Sequence, residues 1–333
     1  TNMRTLSIII TALIATTTGA QGTFTPGAVW NDTDGNPINA HGGGIMYHDG
    51  TYYWYGEYKG HHTYRSPGVG WECYRTEAGG VSCYSSRDLY NWKWEGVVLE
   101  PDTVNPYSDI HPTMVIERPK VVYNEKTGKF VMWMHIDNHN YGKATAGVAV
   151  IESPTGKFTY IESMRPNGSE SRDITLYKDD DGKAYILFSS EGNGTMHICL
   201  LTDDYLRPTT EVARNFIGQS REAPAVFKHN GKYYIVSSGC TGWSPNEADC
   251  AVADKITGPY KQLGNPCRGN NADKTFYGQS TFVLPVHGKP GTHIMMFDRW
   301  NKRKLDDSRY IWLPIDFDGE KFTITWNDTW SLR

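Results

Sequence analysis

A single pattern recurs through this chain: a β-rich run, a turn containing glycine, then an aromatic-rich run. It is seen as GGIMYHDGTYYWYGE (43–57), PKVVYNEKTGKFVMWMH (119–135), ITLYKDDDGKAYILFSS (174–190) and PAVFKHNGKYYIVSSG (224–239), with a looser copy, STFVLPVHGKPGTHIMMFDRW, at 280–300. Each copy reads as a β-hairpin, because β-branched and aromatic residues favour strands and glycine accepts the turn. A third β-rich run follows each hairpin: 80–86, 146–153, 196–202, 250–254 and 309–315. Most are followed by a turn and an outer run, as in DLYNWKWEGVVL (88–99), PTGKFTYI (154–161), TGPYKQL (257–263) and DGEKFTITW (318–326). Four antiparallel strands per unit, with no amphipathic helix between units after residue 20, predict an all-β, five-bladed β-propeller. Closing the ring hides strand edges that an open sheet of this many strands exposes. A two-sheet sandwich is the alternative, and the spaced repeat argues against it.

Composition agrees with many short strands. The 333 residues are 13% aromatic, with 21 Tyr and 11 Trp, and include 34 Gly and 17 Pro. Exposed aromatic rings also hold sugar rings, although any one ring is more often core. The net charge of −4 gives no reason to expect a nucleic-acid partner. Met3-Arg4, the apolar run 6–15 and the small residues 18–20 have the form of a secretory signal, too short to span a bilayer. The expected organisation is therefore a signal peptide over 1–20 and one propeller domain over 21–333, secreted, with no membrane partner and acting as a monomer. Export permits disulfides. Cys73 and Cys83, or Cys240 and Cys250, are near enough in sequence to bridge, but six cysteines allow 15 pairings. No C-x-x-C pair suggests zinc.

In a propeller the loops that enter the innermost strands converge at one end of the axis. One polar residue lies at that phase in every repeat: His41, Glu117, Asp173, Glu222 and Gln279. Three carboxylates facing one cavity suit glycoside hydrolysis, which needs a proton donor of raised pKa. Each acid also has a simpler reading as half of an ion pair: Glu222 with Arg221, Asp173 with Arg172, and Glu117 with Arg118 or Lys120. His41 reads as a satisfied interior histidine or, less favoured, a metal ligand near the axis. Asp179 to Gly182 read as a hairpin turn rather than a calcium loop, since the later ligands are missing. No metal or cofactor is expected.

These segments resemble glycoside hydrolase family 43, and within it the exo-β-1,3-galactanases (subfamily 24). The resemblance covers about residues 26–331. It rests on AHGGGI (40–45), YWYGE (53–57), VSCYSS (81–86), ERPKV (117–121), NYG (140–142), SRD (171–173) with DDDGKAY (179–185), EAP (222–224), TGWSPN (241–246), GQS (278–280), and DRW (298–300) with SRYIW (308–312). The resemblance implies an inverting exo-hydrolase that releases galactose from the non-reducing end of β-1,3-galactan, the backbone of type II arabinogalactan. It implies Glu222 as general acid and Asp173 as the carboxylate that tunes it. Glu117 and Glu57 are implied as substrate-binding residues, and Tyr141, Thr241, Trp243 and Asp298 as pocket lining. Most of the family carries an aspartate base at the start of the first repeat, where this chain reads AHGGGI. The galactanases share that absence, and Gln279 matches the residue thought to place the water there. A neutral amide is a poor base, so Gln279 is expected either to orient the water or to act through its imidic tautomer. An α-L-arabinofuranosidase, a β-D-galactofuranosidase or a non-catalytic galactan-binding propeller are the competing readings.

Overall fold

The computed structural model describes residues 22–333, and the expected signal over 1–20 lies outside the described residues. Short strands alternate with tight turns throughout, as the glycine punctuation predicts. Four sheets are four-stranded. Sheet one contains His41–His48, Thr51–Lys59, Ala78–Ser86 and Lys93–Leu99. Sheet two contains Val115–Asn124, Lys129–Asp137, Thr145–Ile151 and Thr159–Met164. Sheet three contains Ile174–Lys178, Ala184–Ser190, Thr195–Leu201 and Pro208–Asn215. Sheet four contains Glu222–His229, Lys232–Ser238, Asp249–Ala253 and Lys261–Gly264. Sheet five has three strands, Gln279–Pro285, His293–Arg299 and Arg309–Pro314. The first strands of these sheets pack against one another around the axis.

The expected blade count is corrected here: the propeller has six blades, not five. A sixth sheet of three strands is built from Cys267–Arg268, Lys321–Thr325 and Asp316–Asp318. The last repeat does not close into one four-stranded unit. Its outer hairpin leaves sheet five and pairs in parallel with a remote segment, Cys267 opposite Ile324. Hairpin logic reads only neighbours in sequence, so a parallel partner more than fifty residues away is invisible to it.

Each hydrophobic cluster lies between adjacent sheets. Trp133 of sheet two packs with Ile174, Ile186 and Phe188 of sheet three. Leu187 and Ile198 of sheet three pack with Val226 and Ile235 of sheet four. Four of the eleven tryptophans, Trp54, Trp92, Trp133 and Trp312, are fully buried and structural. The chain ends close the ring, with Phe24 and Trp330 exchanging backbone hydrogen bonds of 2.8 and 3.1 Å. The helical segments of the described residues are short 3₁₀ turns, and no described helix is long and apolar enough to cross a membrane. All six cysteines carry free thiols, so neither candidate pair is bridged.

Candidate active site

The first strands of sheets one, two and four share a local distortion that creates the site. The pairing register slips between His41 and Gly44, between Glu117 and Lys120, and between Glu222 and Ala225. At each slip the residue after the polar one is left-handed: Gly42 has φ 56°, Arg118 52° and Ala223 52°. Such bulges turn a side chain out of the strand's regular alternation. A left-handed non-glycine residue costs about 1–2 kcal/mol, so Arg118 and Ala223 are held there by their surroundings.

The bulges also orient backbone N–H groups toward acids of the preceding sheet. Ala223 N–H donates to Asp173 Oδ2 at 3.0 Å. Arg118 N–H donates to Glu57 Oε2 at 3.2 Å. Gly42 N–H donates to the Asp298 carboxylate. Gly42 has no alternative, because a Cβ there would lie 2.1 Å from Glu57 Oε2.

The cavity that results has a volume of about 790 Å³, in the range of small-ligand sites. Glu57, Glu117, Tyr141, Asp173, Glu222, Thr241, Trp243 and Gln279 all line it. Asp298 is the exception among the expected residues. It is buried beneath Gly42, 2% exposed, and is not part of the lining. His41 is also fully buried, stacked on Tyr310 with ring centroids 5.3 Å apart, and its ring nitrogens find no protein partner.

Electrostatics separate the acids. Burial, reinforced by the neighbouring Asp173 charge, pushes Glu222 up to about 7. Asn193 Nδ2 donates to its Oε1 at 3.1 Å. Asp173 is paired instead with Arg118, whose Nε lies 3.0 Å away. Burial would raise Glu117 as well, but His135, Lys59 and the Tyr141 hydroxyl outweigh it and hold Glu117 at about 2. Burial raises Glu57 despite its 2.7 Å ion pair with Lys59. The site therefore combines a carboxyl that keeps its proton near neutral pH with one that stays ionised, the division that acid-assisted glycoside cleavage requires.

Adjacent cations do not neutralise the acids in the way that sequence proximity suggests. Arg118 reaches past Glu117 to Asp173 and Gln279. Arg172 turns from Asp173 to Glu170, at 2.6 Å. Arg221 binds Ser237. Lys120 is buried, its ammonium bonded to the carbonyls of Gly42 and Arg118.

Gln279 is fixed on both sides. Its Oε1 accepts from Arg118 Nη2 at 2.8 Å and Trp300 Nε1 at 2.9 Å, while Nε2 donates to Ser238 Oγ at 2.9 Å. An imidic tautomer would place a proton on the oxygen that two donors already face. The amide form, with one N–H left to hold a water, fits these contacts.

Several lining residues escaped sequence reasoning: Lys59, Trp71, Arg118, His135, Arg172, Asn193, Cys240 and Trp300. Trp71 comes from a strap between the second and third strands of sheet one, closed by the short pair Tyr64–Arg65 and Tyr74–Arg75. It is 40% exposed, with its ring centroid 5.8 Å from that of Tyr141. The strap, residues 60–77, holds one Trp among three Gly and carries no periodic signal. Arg118 was legible only as a partner of its neighbour.

Glu117, His135 and Asp173 each offer one atom within 4.8 Å of the others, a spacing compatible with a cation. The contacts do not suit one. Asp173 is engaged by Arg118. Burial would lower the His135 pKa, but Asp137 and Glu117 raise it to about 10, and a protonated imidazole has no lone pair to give.

Comparison with known proteins agrees with this geometry. Residues 35–289 match the model of glycosyl hydrolases family 43. A family 43 β-1,3-galactosidase solved with galactodeoxynojirimycin is 44% identical, covering 93% of this chain and 100% of that one, with a TM-score of 0.85. A variant of the exo-β-1,3-galactanase from Phanerochaete chrysosporium, solved with β-1,3-galactotriose, is 37% identical over 94% of this chain and 69% of that one, with a TM-score of 0.83. A β-D-galactofuranosidase from Aspergillus niger is 29% identical over 126 residues, 35% of each chain. This chain spans about a third of the length of the curated relatives it matches. The family match over most of the sequence and the shared architecture lead to one conclusion: the chain belongs to glycosyl hydrolase family 43.

Proposed function

We propose that this chain is an inverting exo-glycoside hydrolase that releases galactose from the non-reducing end of β-1,3-galactan, including the backbone of type II arabinogalactan. The observation that carries the chemistry is Glu222, a cavity-lining carboxyl with a pKa pushed to about 7 by burial and Asp173. Glu222 donates its proton to the glycosidic oxygen as the bond to the anomeric carbon breaks. Gln279 holds the water through its free N–H. An oxocarbenium-like transition state needs that water oriented more than deprotonated, and after the new bond has formed its extra proton passes to solvent water in the cavity. This accounts for a first repeat that begins, at AHGGGI, without a carboxylate. Asp173 keeps the charge that sustains the Glu222 proton. Glu57, Glu117 and Tyr141 bind hydroxyls of the terminal sugar. The substrate follows from the similarity to β-1,3-galactosidases over more than nine-tenths of the chain. Secretion, with residues 1–20 as the signal, and action as a monomer complete the reading.

The test is digestion of debranched β-1,3-galactan followed by proton NMR. Free galactose appearing first as the α-anomer is the expected result. A β-anomer first rules out inversion. Release of arabinose or galactofuranose from matched substrates, with none of galactose, assigns a different specificity, and tight galactan binding without any product makes the chain a binding protein.

A further inference from the structure

Behind Glu117 lies a buried pair, His135 and Asp137, of which only His135 belongs to the cavity lining. Glu117 stands opposite His135 in the pairing of the first two strands of sheet two. His135 and Asp137 are two residues apart on one strand, so their side chains share a face. His135 Nε2 is 2.7 Å from Asp137 Oδ2, and its Nδ1 is 3.4 Å from Glu117 Oε2, an ion-pair distance. Both residues are essentially inaccessible, at 1% and 0% exposure.

The other oxygen of Asp137 performs a separate task. Oδ1 accepts backbone N–H bonds from Asn138 at 2.9 Å, Lys143 at 2.9 Å and Ala144 at 3.0 Å. One carboxylate oxygen thereby closes the loop 138–144. That loop carries Tyr141, left-handed with φ 60°, whose hydroxyl donates to Glu117 Oε1 at 2.6 Å. The Tyr141 carbonyl in turn accepts from Arg172 at 3.0 and 3.2 Å.

We propose that Asp137 is a positioning residue for sugar binding, presenting Glu117 to the substrate by holding His135 with one oxygen and the Tyr141 loop with the other. Both oxygens of Glu117 are thereby fixed by groups that answer to one buried acid. This inference rests on the galactosidase reading, in which Glu117 meets the terminal galactose. Glu117 binds sugar away from the bond that breaks, so its misplacement weakens ground state and transition state alike and moves KM rather than kcat.

The experiment compares Asp137→Asn, Glu117→Gln and the double variant. Isothermal titration with galactose is combined with steady-state kinetics on β-1,3-galactobiose. Asp137→Asn is expected to raise KM and the galactose Kd roughly 10- to 100-fold, the worth of one charge-assisted hydrogen bond, with kcat changed only a few-fold. In the Glu117→Gln background the same substitution is expected to add less than about threefold, because the effect passes through Glu117. Equal losses in both backgrounds, or no loss in either, overturn the proposal. If Asp137→Asn does not fold, His135→Gln serves in the same cycle with the same expectations. If the unaltered protein neither binds galactose nor cleaves galactobiose, the galactosidase reading fails, which is a different result from normal binding by the variants.

Discussion

Replacing Glu222 with Gln tests the acid and its environment together. The substitution keeps shape and removes the ionisable proton. Burial and Asp173 move this carboxyl from an ordinary 4.5 to about 7. Each factor of ten in proton affinity is worth about 1.4 kcal/mol, so ionising Glu222 in the folded state costs roughly 3 kcal/mol relative to ionising it in the unfolded chain. The folded pKa is the higher one. The folded protein therefore holds the proton where the unfolded chain has lost it, and stability falls as pH rises from about 4.5 through about 7. The Gln variant does not share that loss. Urea unfolding at pH 4 is expected to give equal stabilities, and at pH 8.5 to show the variant more stable by up to about 3 kcal/mol. Activity moves the opposite way: loss of a general acid is expected to lower kcat by roughly 10²–10⁴-fold on galactobiose. A stability difference independent of pH refutes the burial argument. Near-unaltered activity refutes the assignment of the acid. The two outcomes are separable, because one is read from unfolding and the other from turnover.

Asp173→Asn removes the charge that helps keep Glu222 protonated and leaves Arg118 without its partner. Both changes lower the Glu222 pKa, so the pH at which kcat falls on the alkaline side is expected to move down; an unmoved or upward-shifted limb contradicts the pairing. Gln279→Ala is expected to cut kcat roughly 10- to 1000-fold while leaving that alkaline limb in place, since Glu222 is untouched; a shifted limb would mean that Gln279 acts on the acid rather than the water. Gly42→Ala places a methyl on Glu57 at a left-handed position and is expected to cost about 2 kcal/mol or more in urea unfolding. Gly50, left-handed at φ 83° with open space around it, serves as the control, with a cost of about 1 kcal/mol on mutation to Ala.

The repeat and the phase of its polar residues were readable because both are local. A hairpin needs only its own turn and alternation, and a residue ahead of an inner strand is carried to the axis by the strand that follows it. That is why Glu117, Asp173, Glu222 and Gln279 meet in one cavity as their positions imply. What the sequence could not display depends on contacts between sheets. The sixth sheet depends on a parallel pairing between 267–268 and 324–325. The strap bearing Trp71 interrupts sheet one without a periodic pattern of its own. Asp298 shares a motif with Trp300, yet only Trp300 reaches the cavity: residues two apart share a face within a strand, but this strand ends at Arg299 and Trp300 lies beyond it.

The bulges explain why the ion pairs suggested by adjacency fail. In a regular strand, neighbours such as Glu222 and Arg221 point to opposite faces, so adjacency already argues against pairing. At Glu117 and Glu222 the left-handed residue that follows turns the side chain into the cavity, and at all three slips that residue directs its own N–H to an acid of the preceding sheet. Asp173, Glu57 and Asp298 are then held by backbone from the next blade, not by their sequence neighbours. Arg118 can therefore extend toward Asp173 and Gln279 and link three sheets with one guanidinium. A left-handed residue is costly for alanine or arginine, and neither type announces the geometry. Only Gly42 does so, because the Glu57 carboxylate occupies the place of its missing Cβ. The positions of the functional acids are thus encoded locally, whereas their protonation states are set by neighbours that arrive only when the ring closes.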